Sequence, residues 1–111
     1  MKVRYITKGE YTGDRMTVLK EYTVIGIEAD YYRIIADDNE PYLYNPNQFT
    51  IIEKTVPNFW ITEIGEDGEK YSYPSTWVRV GFFEDYFDNI ESVKEQFWKE
   101  CSELYGIAQN A

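Results

Sequence analysis

Near the end of the chain, Ile90, Val93, Phe97, Cys101 and Leu104 recur at steps of three, four, four and three residues. That spacing follows the turn of an α-helix and lays one apolar stripe along residues 88–105, which Trp98 and Tyr105 flank and widen. Asp88 with Glu91 three residues on has capping-box spacing, with Asp in the Ser/Thr place, and Gly106 suits a C-terminal cap. A helix that is apolar on one side has to bury that side, and the preceding chain, which alternates with a period of two, offers a sheet for it. The sequence therefore predicts one α+β domain over residues 1–111. Its parts are a small, strongly bent antiparallel sheet or barrel (1–54), a hairpin with its connecting segment (58–80), and the amphipathic helix (88–105) packed on the sheet.

The strand signals are local. "KVRYI" (2–6) alternates, with Val3 and Tyr5 on one face and Lys2, Arg4 and Ile6 on the other. "TKGEYTGDR" (7–15), with two glycines, reads as a loop. "EYTVIGIEA" (21–29) is a β-branched strand with Tyr22 and Val24 on one face, Thr23, Ile25 and Ile27 on the other, and a bulge or bend expected at Gly26. Residues 30–52 read strand, turn, strand, short turn, strand. Asp37, Asp38 and Asn39 make the first turn, Pro41 marks an edge position, and "NPNQ" (45–48) gives a turn or one turn of 3₁₀ helix before Phe49, Ile51 and Ile52. "NFWITEIGEDGEKYSYP" (58–74) reads as a hairpin with "GEDG" at its tip, and "STWVRVG" (75–81) as a further short strand or ordered loop.

In "MTVLKEYTVIGIEADYYRIIADDNEPYLYNPNQFTIIE" (16–53) a loop leads into "K-x-Y-x-V", then "Y-x-I", an Asp/Asn turn and a closing "F-x-x-I". This stretch resembles the SH3-like small barrels of many short bacterial and phage proteins. The resemblance implies an SH3-like barrel for the first half, with Leu19 standing where such proteins often carry glycine. It implies no catalytic residues, because small barrels host many unrelated roles.

Charge narrows the choice of partners. Twenty Asp and Glu against eleven Lys and Arg give a formal net charge of −9. Five of the bases but only two of the acids fall in residues 1–20, which leaves the remainder strongly acidic. Such a surface repels phosphate backbones, so direct nucleic-acid binding is not expected. It attracts a basic protein and speeds the encounter, and it also keeps a chain soluble. With no apolar run of membrane-spanning length, no N-terminal leader pattern and a single cysteine, the chain reads as cytoplasmic.

The chemistry on offer is sparse. With no histidine, the usual general base at neutral pH is missing, as are Ser–His and Cys–His nucleophile pairs. Cys101 falls on the helix's apolar stripe, where a thiol acts as a small hydrophobe. One Cys and no His cannot complete a zinc site, and "DDNE" (37–40) and "GEDGE" (65–69) lack the ligand spacing of a calcium loop. No cofactor, no metal and no enzymatic activity are expected.

"GFFEDYFD" (81–88) then has two readings. As a helical turn it pairs Phe82 with Tyr86 and Phe83 with Phe87, so that rings pack under the main helix while the acids face water. Alternatively Glu84, Asp85, Asp88 and Glu91, beside partly exposed Trp77 and Tyr86, form an acidic and aromatic partner surface, joined by Glu66 and Asp67 of the hairpin tip. With "WITEIGEDGEKY" (60–71), this segment resembles small acidic bacterial proteins encoded beside secreted toxins. That resemblance implies an immunity protein that occludes a basic toxin or nuclease. The competing readings are an adaptor or structural module of phage or mobile-element origin, and a small-molecule- or metal-regulated protein. Sequence does not fix the oligomeric state.

Overall fold

The computed structural model describes residues 1–7 and 15–109. Residues 8–14 of the expected loop thus lie outside the described residues. The fold is α+β, with seven strands in antiparallel pairs and one long helix among the described residues. The chain forms two compact units, Met1–Ser75 and Thr76–Ala111.

The first unit holds the sheet. Strands β1 (Lys2–Tyr5), β2 (Glu21–Glu28), β3 (Tyr31–Ile35), β4 (Pro41–Tyr44) and β5 (Phe49–Glu53) lie in the order β4-β3-β2-β1-β5. The long β2 serves both sides: its first residues pair with β1 and its last with β3. The path is open, with no pairing between β4 and β5 among the described residues. β6 (Trp60–Ile64) and β7 (Lys70–Pro74) form the expected hairpin, which joins the sheet where Ser72 pairs with Ile27 of β2. The Asp37–Asn39 turn also forms as read: Asp38 accepts the Glu40 amide at 3.1 Å, and Asn39 takes a φ of 62°. "NPNQ" closes into a 3₁₀ turn over Pro46–Gln48, with Asn45 as its side-chain cap.

A bulge in β2 decides the core. The register against β3 slips between Val24 and Gly26, so two residues of β2 occupy one step of its partner. The extra residue inverts the alternation beyond it. Ile27 therefore joins Tyr22 and Val24 in the buried cluster, whereas uninterrupted alternation places it on the other face. Phe49 is a hub of this core, its ring 5.7 Å from Tyr5, 5.9 Å from Tyr32 and 6.4 Å from Tyr44. Ile51 and Ile52, expected to help close the module, are exposed.

Polar ties fix the strands to one another. Arg33, only 4 % exposed, donates to the Tyr73 hydroxyl, the Pro41 carbonyl and the Glu28 carboxylate, each at 2.9 Å. Tyr73 in turn donates to the same Glu28 oxygen at 3.0 Å. One buried guanidinium thus links β2, β3, β4 and β7, and its desolvation cost is offset by directed bonds. The Tyr73 ring lies over the backbone at Gly26, in space that any Cβ there would occupy.

The second unit is helical. After a 3₁₀ turn over Ser75–Trp77 come α1 (Phe82–Phe87) and α2 (Glu91–Tyr105). The expected capping box does not form. Asp88 is the C-terminal cap of α1, its amide bonded to the Glu84 carbonyl, Asn89 turns with a φ of 61°, and Ile90 stands at the N-cap of α2 without a side-chain cap bond. The aromatic segment 82–87 makes a helix of its own, which displaces the break in the chain to 88–90. Val93, Phe97 and Cys101 are buried as the stripe requires, whereas Ile90 and Leu104 at its ends are exposed. Rings of α1 cover Phe97: Phe83 lies at 5.7 Å and Tyr86 at 5.2 Å. Gly106 caps the helix with a φ of 69°.

Candidate functional site

The residues expected to meet a partner fall in two places. Glu66 and Asp67 are both exposed at the tip of the β6–β7 hairpin. The Gly65 amide bonds to the Glu69 carbonyl at 2.8 Å, the Gly68 amide returns to the Gly65 carbonyl at 3.0 Å, and Gly68 has a φ of 82°. That left-handed position is why glycine stands there. The Glu69 carboxylate accepts the Asp67 amide at 3.0 Å, so it serves the turn.

The other group lies along α1 and the turn into α2. Glu84, Asp88 and Glu91 are exposed, and Glu91 sits in the first turn of α2, where the helix dipole favours negative charge. Asp85 is half-buried and accepts from the Arg79 guanidinium at 3.0 Å, while its carbonyl accepts the Ile90 amide at 3.0 Å. It is partly structural.

The two aromatic anchors require correction. Trp77 and Tyr86 are each 1 % exposed, not partly exposed. The Trp77 ring lies 4.8 Å from Phe97 and 6.0 Å from Tyr105, and its Nε1 donates to Glu100 at 3.2 Å. The Tyr86 hydroxyl accepts from Trp98 Nε1 at 3.0 Å. Each polar tip finds a partner inside this unit, so both rings are core and neither is available to a partner. The apolar exposure between Trp77 and Tyr86 belongs to Val78 and Val80, the latter 97 % exposed just before Gly81, whose φ of 83° starts α1. Sequence reading missed them, since "VRV" carries the signature of a strand with inward valines. Arg79 between them is engaged by Asp85 and lies 5.4 Å over the Phe82 ring.

Shallow cavities lie among the described residues. One of about 360 Å³ is bordered by Asn89, Glu91, Lys94, Glu95, Trp98 and Gln109. Another, of about 300 Å³ in the first unit, has Ile27, Tyr32, Ile51 and Val56 in its wall with Lys54 and Lys70.

The chemistry of the remaining reactive groups is muted. Cys101 is fully buried, and desolvation pushes its thiol up to about 12, which keeps it protonated at neutral pH. Among the described residues, no group of three His, Cys, Asp or Glu side chains is placed to hold a metal ion. In the "DDNE" turn, Asp37 accepts from Lys20 at 2.6 Å, Thr17 at 2.5 Å and Tyr22 at 3.0 Å. Burial opposes ionisation of this carboxyl, but the bonds from Lys20, Thr17 and Tyr22 outweigh it and hold it below its ordinary value. No described helix is long and apolar enough to cross a membrane. Comparison with protein-family models, curated proteins and solved structures finds no match for this chain.

Proposed function

We propose that this protein is a cytoplasmic binding protein of the immunity or inhibitor type, which covers a basic protein partner, such as a toxin or nuclease, and transforms no substrate. The observation that carries this reading is the make-up of residues 78–91. Glu84, Asp88 and Glu91 are exposed carboxylates, and the same short stretch presents Val78 and Val80 to solvent. An apolar centre with a charged margin is the composition of a protein-binding patch, and a margin of one sign steers a partner of the other. The base within the stretch, Arg79, is paired at the surface with Asp85 and lies over the Phe82 ring, so its charge is already matched by a carboxylate other than Glu84, Asp88 and Glu91. The burial of Cys101 supports action by contact and not by nucleophilic chemistry. Residues 1–54 are proposed as an SH3-like module. The strand order, the shared bent β2 and the 3₁₀ turn before β5 support that reading.

The test is affinity capture from an extract of the source cells with the wild type and with the triple variant Glu84→Lys, Asp88→Lys, Glu91→Lys. The reading predicts a basic protein retained by the wild type at low salt and lost by the triple variant, whose melting temperature stays within a few degrees of the wild type. Equal capture of that protein by both would overturn it.

A further inference from the structure

Among the described residues, three strands of the sheet have a neighbour on one side only: β4, β5 and β6. A bare strand edge is a template for another chain, and proteins blunt such edges with proline, a bulge or a cover. β4 begins at Pro41, and the register of β5 against β1 is bulged, since Lys2 faces Glu53 while Val3 faces Ile51. β6 has neither device. Its five residues pair with β7 one for one from Trp60–Pro74 to Ile64–Lys70, and Ile61, Thr62, Glu63 and Ile64 are all exposed.

The register fixes which backbone groups face outward. The Gly65 amide bonds to the Glu69 carbonyl, so the pairs inward from the tip alternate from there. Glu63–Tyr71 and Ile61–Tyr73 exchange hydrogen bonds, and Ile64–Lys70 and Thr62–Ser72 do not. Two observations agree with that phase. The amide and carbonyl of Lys70 are used on the other side of β7, by Asp30, and Ser72 pairs with Ile27 of β2. The amides and carbonyls of Thr62 and Ile64 therefore point away from β7, along an open edge.

We infer that the β6 edge is a docking site for an extended, basic segment of a partner protein, which adds to the hairpin as a further antiparallel or parallel strand through Thr62 and Ile64. The backbone supplies affinity without regard to sequence, and the flanking side chains select. Those flanks are Ile61 and Ile64, 44 % and 63 % exposed, with Glu63, Glu66 and Asp67 beside them. A second copy is the wrong occupant on charge, because it brings the same acidic hairpin and a net charge of −9 against its like. The choice of a basic segment rests on the acidic-surface reading above; the use of the edge rests on the register alone.

Amide hydrogen exchange on the full chain tests this with a short peptide of alternating lysine and valine, and with its glutamate-for-lysine counterpart. The lysine peptide should slow exchange at Thr62 and Ile64 by about tenfold at saturation and leave Ile61 and Glu63, already bonded to β7, unchanged. The glutamate peptide should leave all four amides unchanged. Thr62→Pro removes an outward amide without touching the β7 ladder and should abolish the protection at Ile64. If that variant does not fold, the reversal of Glu63, Glu66 and Asp67 to lysine, which leaves the backbone intact, should transfer binding to the glutamate peptide. Protection absent from β6, with shifts confined to residues 84–91, would overturn the edge inference and leave the acidic-surface reading standing. No perturbation anywhere would overturn both. Protection that rises with protein concentration alone would make a second copy the occupant and overturn the choice of partner.

Discussion

At the scale of single residues, the described chain carries strain and an unmet bond that substitution can expose. Leu19 holds a φ of 70° in the loop before β2, with its amide on the Tyr5 carbonyl at 2.6 Å and its side chain 65 % exposed. A β-carbon in that region costs about 1 kcal/mol, and little packing is lost with the side chain, so Leu19→Gly should raise the melting temperature by a few degrees. The residue that departs from the SH3-like pattern is the one whose backbone favours glycine. Two buried tyrosines give a paired prediction. Tyr44 is 5 % exposed and its hydroxyl has no hydrogen-bond partner among the described residues, whereas Tyr73, equally buried, bonds to both Arg33 and Glu28. Tyr44→Phe should be neutral or stabilising, and Tyr73→Phe should cost about 1–3 kcal/mol in denaturant unfolding, because it leaves Arg33 short of an acceptor. The opposite order would show that the Arg33 network does not hold the strands. Sequence could not rank these tyrosines, since a ring with a polar tip reads alike at a wet surface and inside a core. The same ambiguity placed Trp77 and Tyr86 at the surface.

Among elements, what was legible depended on how local the signal is. The β6–β7 hairpin, the Asp37–Asn39 turn and the β2 bulge follow from residues within a few positions of one another. The face of Ile27 does not follow, because one inserted residue reverses every side chain beyond it. The start of α2 was misplaced for a related reason: Asp88 has cap chemistry, but the aromatic turn before it uses that residue to end α1. Ile90 consequently occupies an N-cap with no capping side chain, and Ile90→Ser should stabilise the protein by about 1 kcal/mol in thermal unfolding. The clamp on Asp37 gives a pH dependence. Its carboxyl is held below the ordinary value of 3.8, so its contribution is present above that pH and lost as pH falls through the lower folded value. The melting-temperature gap between the wild type and Asp37→Asn should therefore be constant near neutrality and close below about pH 4. A gap that persists in stronger acid would show that the Lys20, Thr17 and Tyr22 bonds do not favour the ionised form.

For the whole molecule, composition spoke more clearly than position. The net charge of −9 and the lack of histidine are read directly from the chain, and the proposal of a protein that works by contact starts from them. The make-up of the proposed contact surface was only half legible. The acids at 84, 88 and 91 lie open as read, but the apolar companions are Val78 and Val80, which no periodic pattern marks as exposed. A partner steered by such a surface meets it quickly at low ionic strength and slowly once the charges are screened. The decisive measurement is the association rate with the captured basic partner, followed by stopped flow between about 50 and about 300 mM salt. The account predicts a fall of about tenfold or more in that rate with little change in dissociation, and a flattened salt dependence for the Glu84→Lys, Asp88→Lys, Glu91→Lys variant. An association rate indifferent to salt and to those three charges would contradict it.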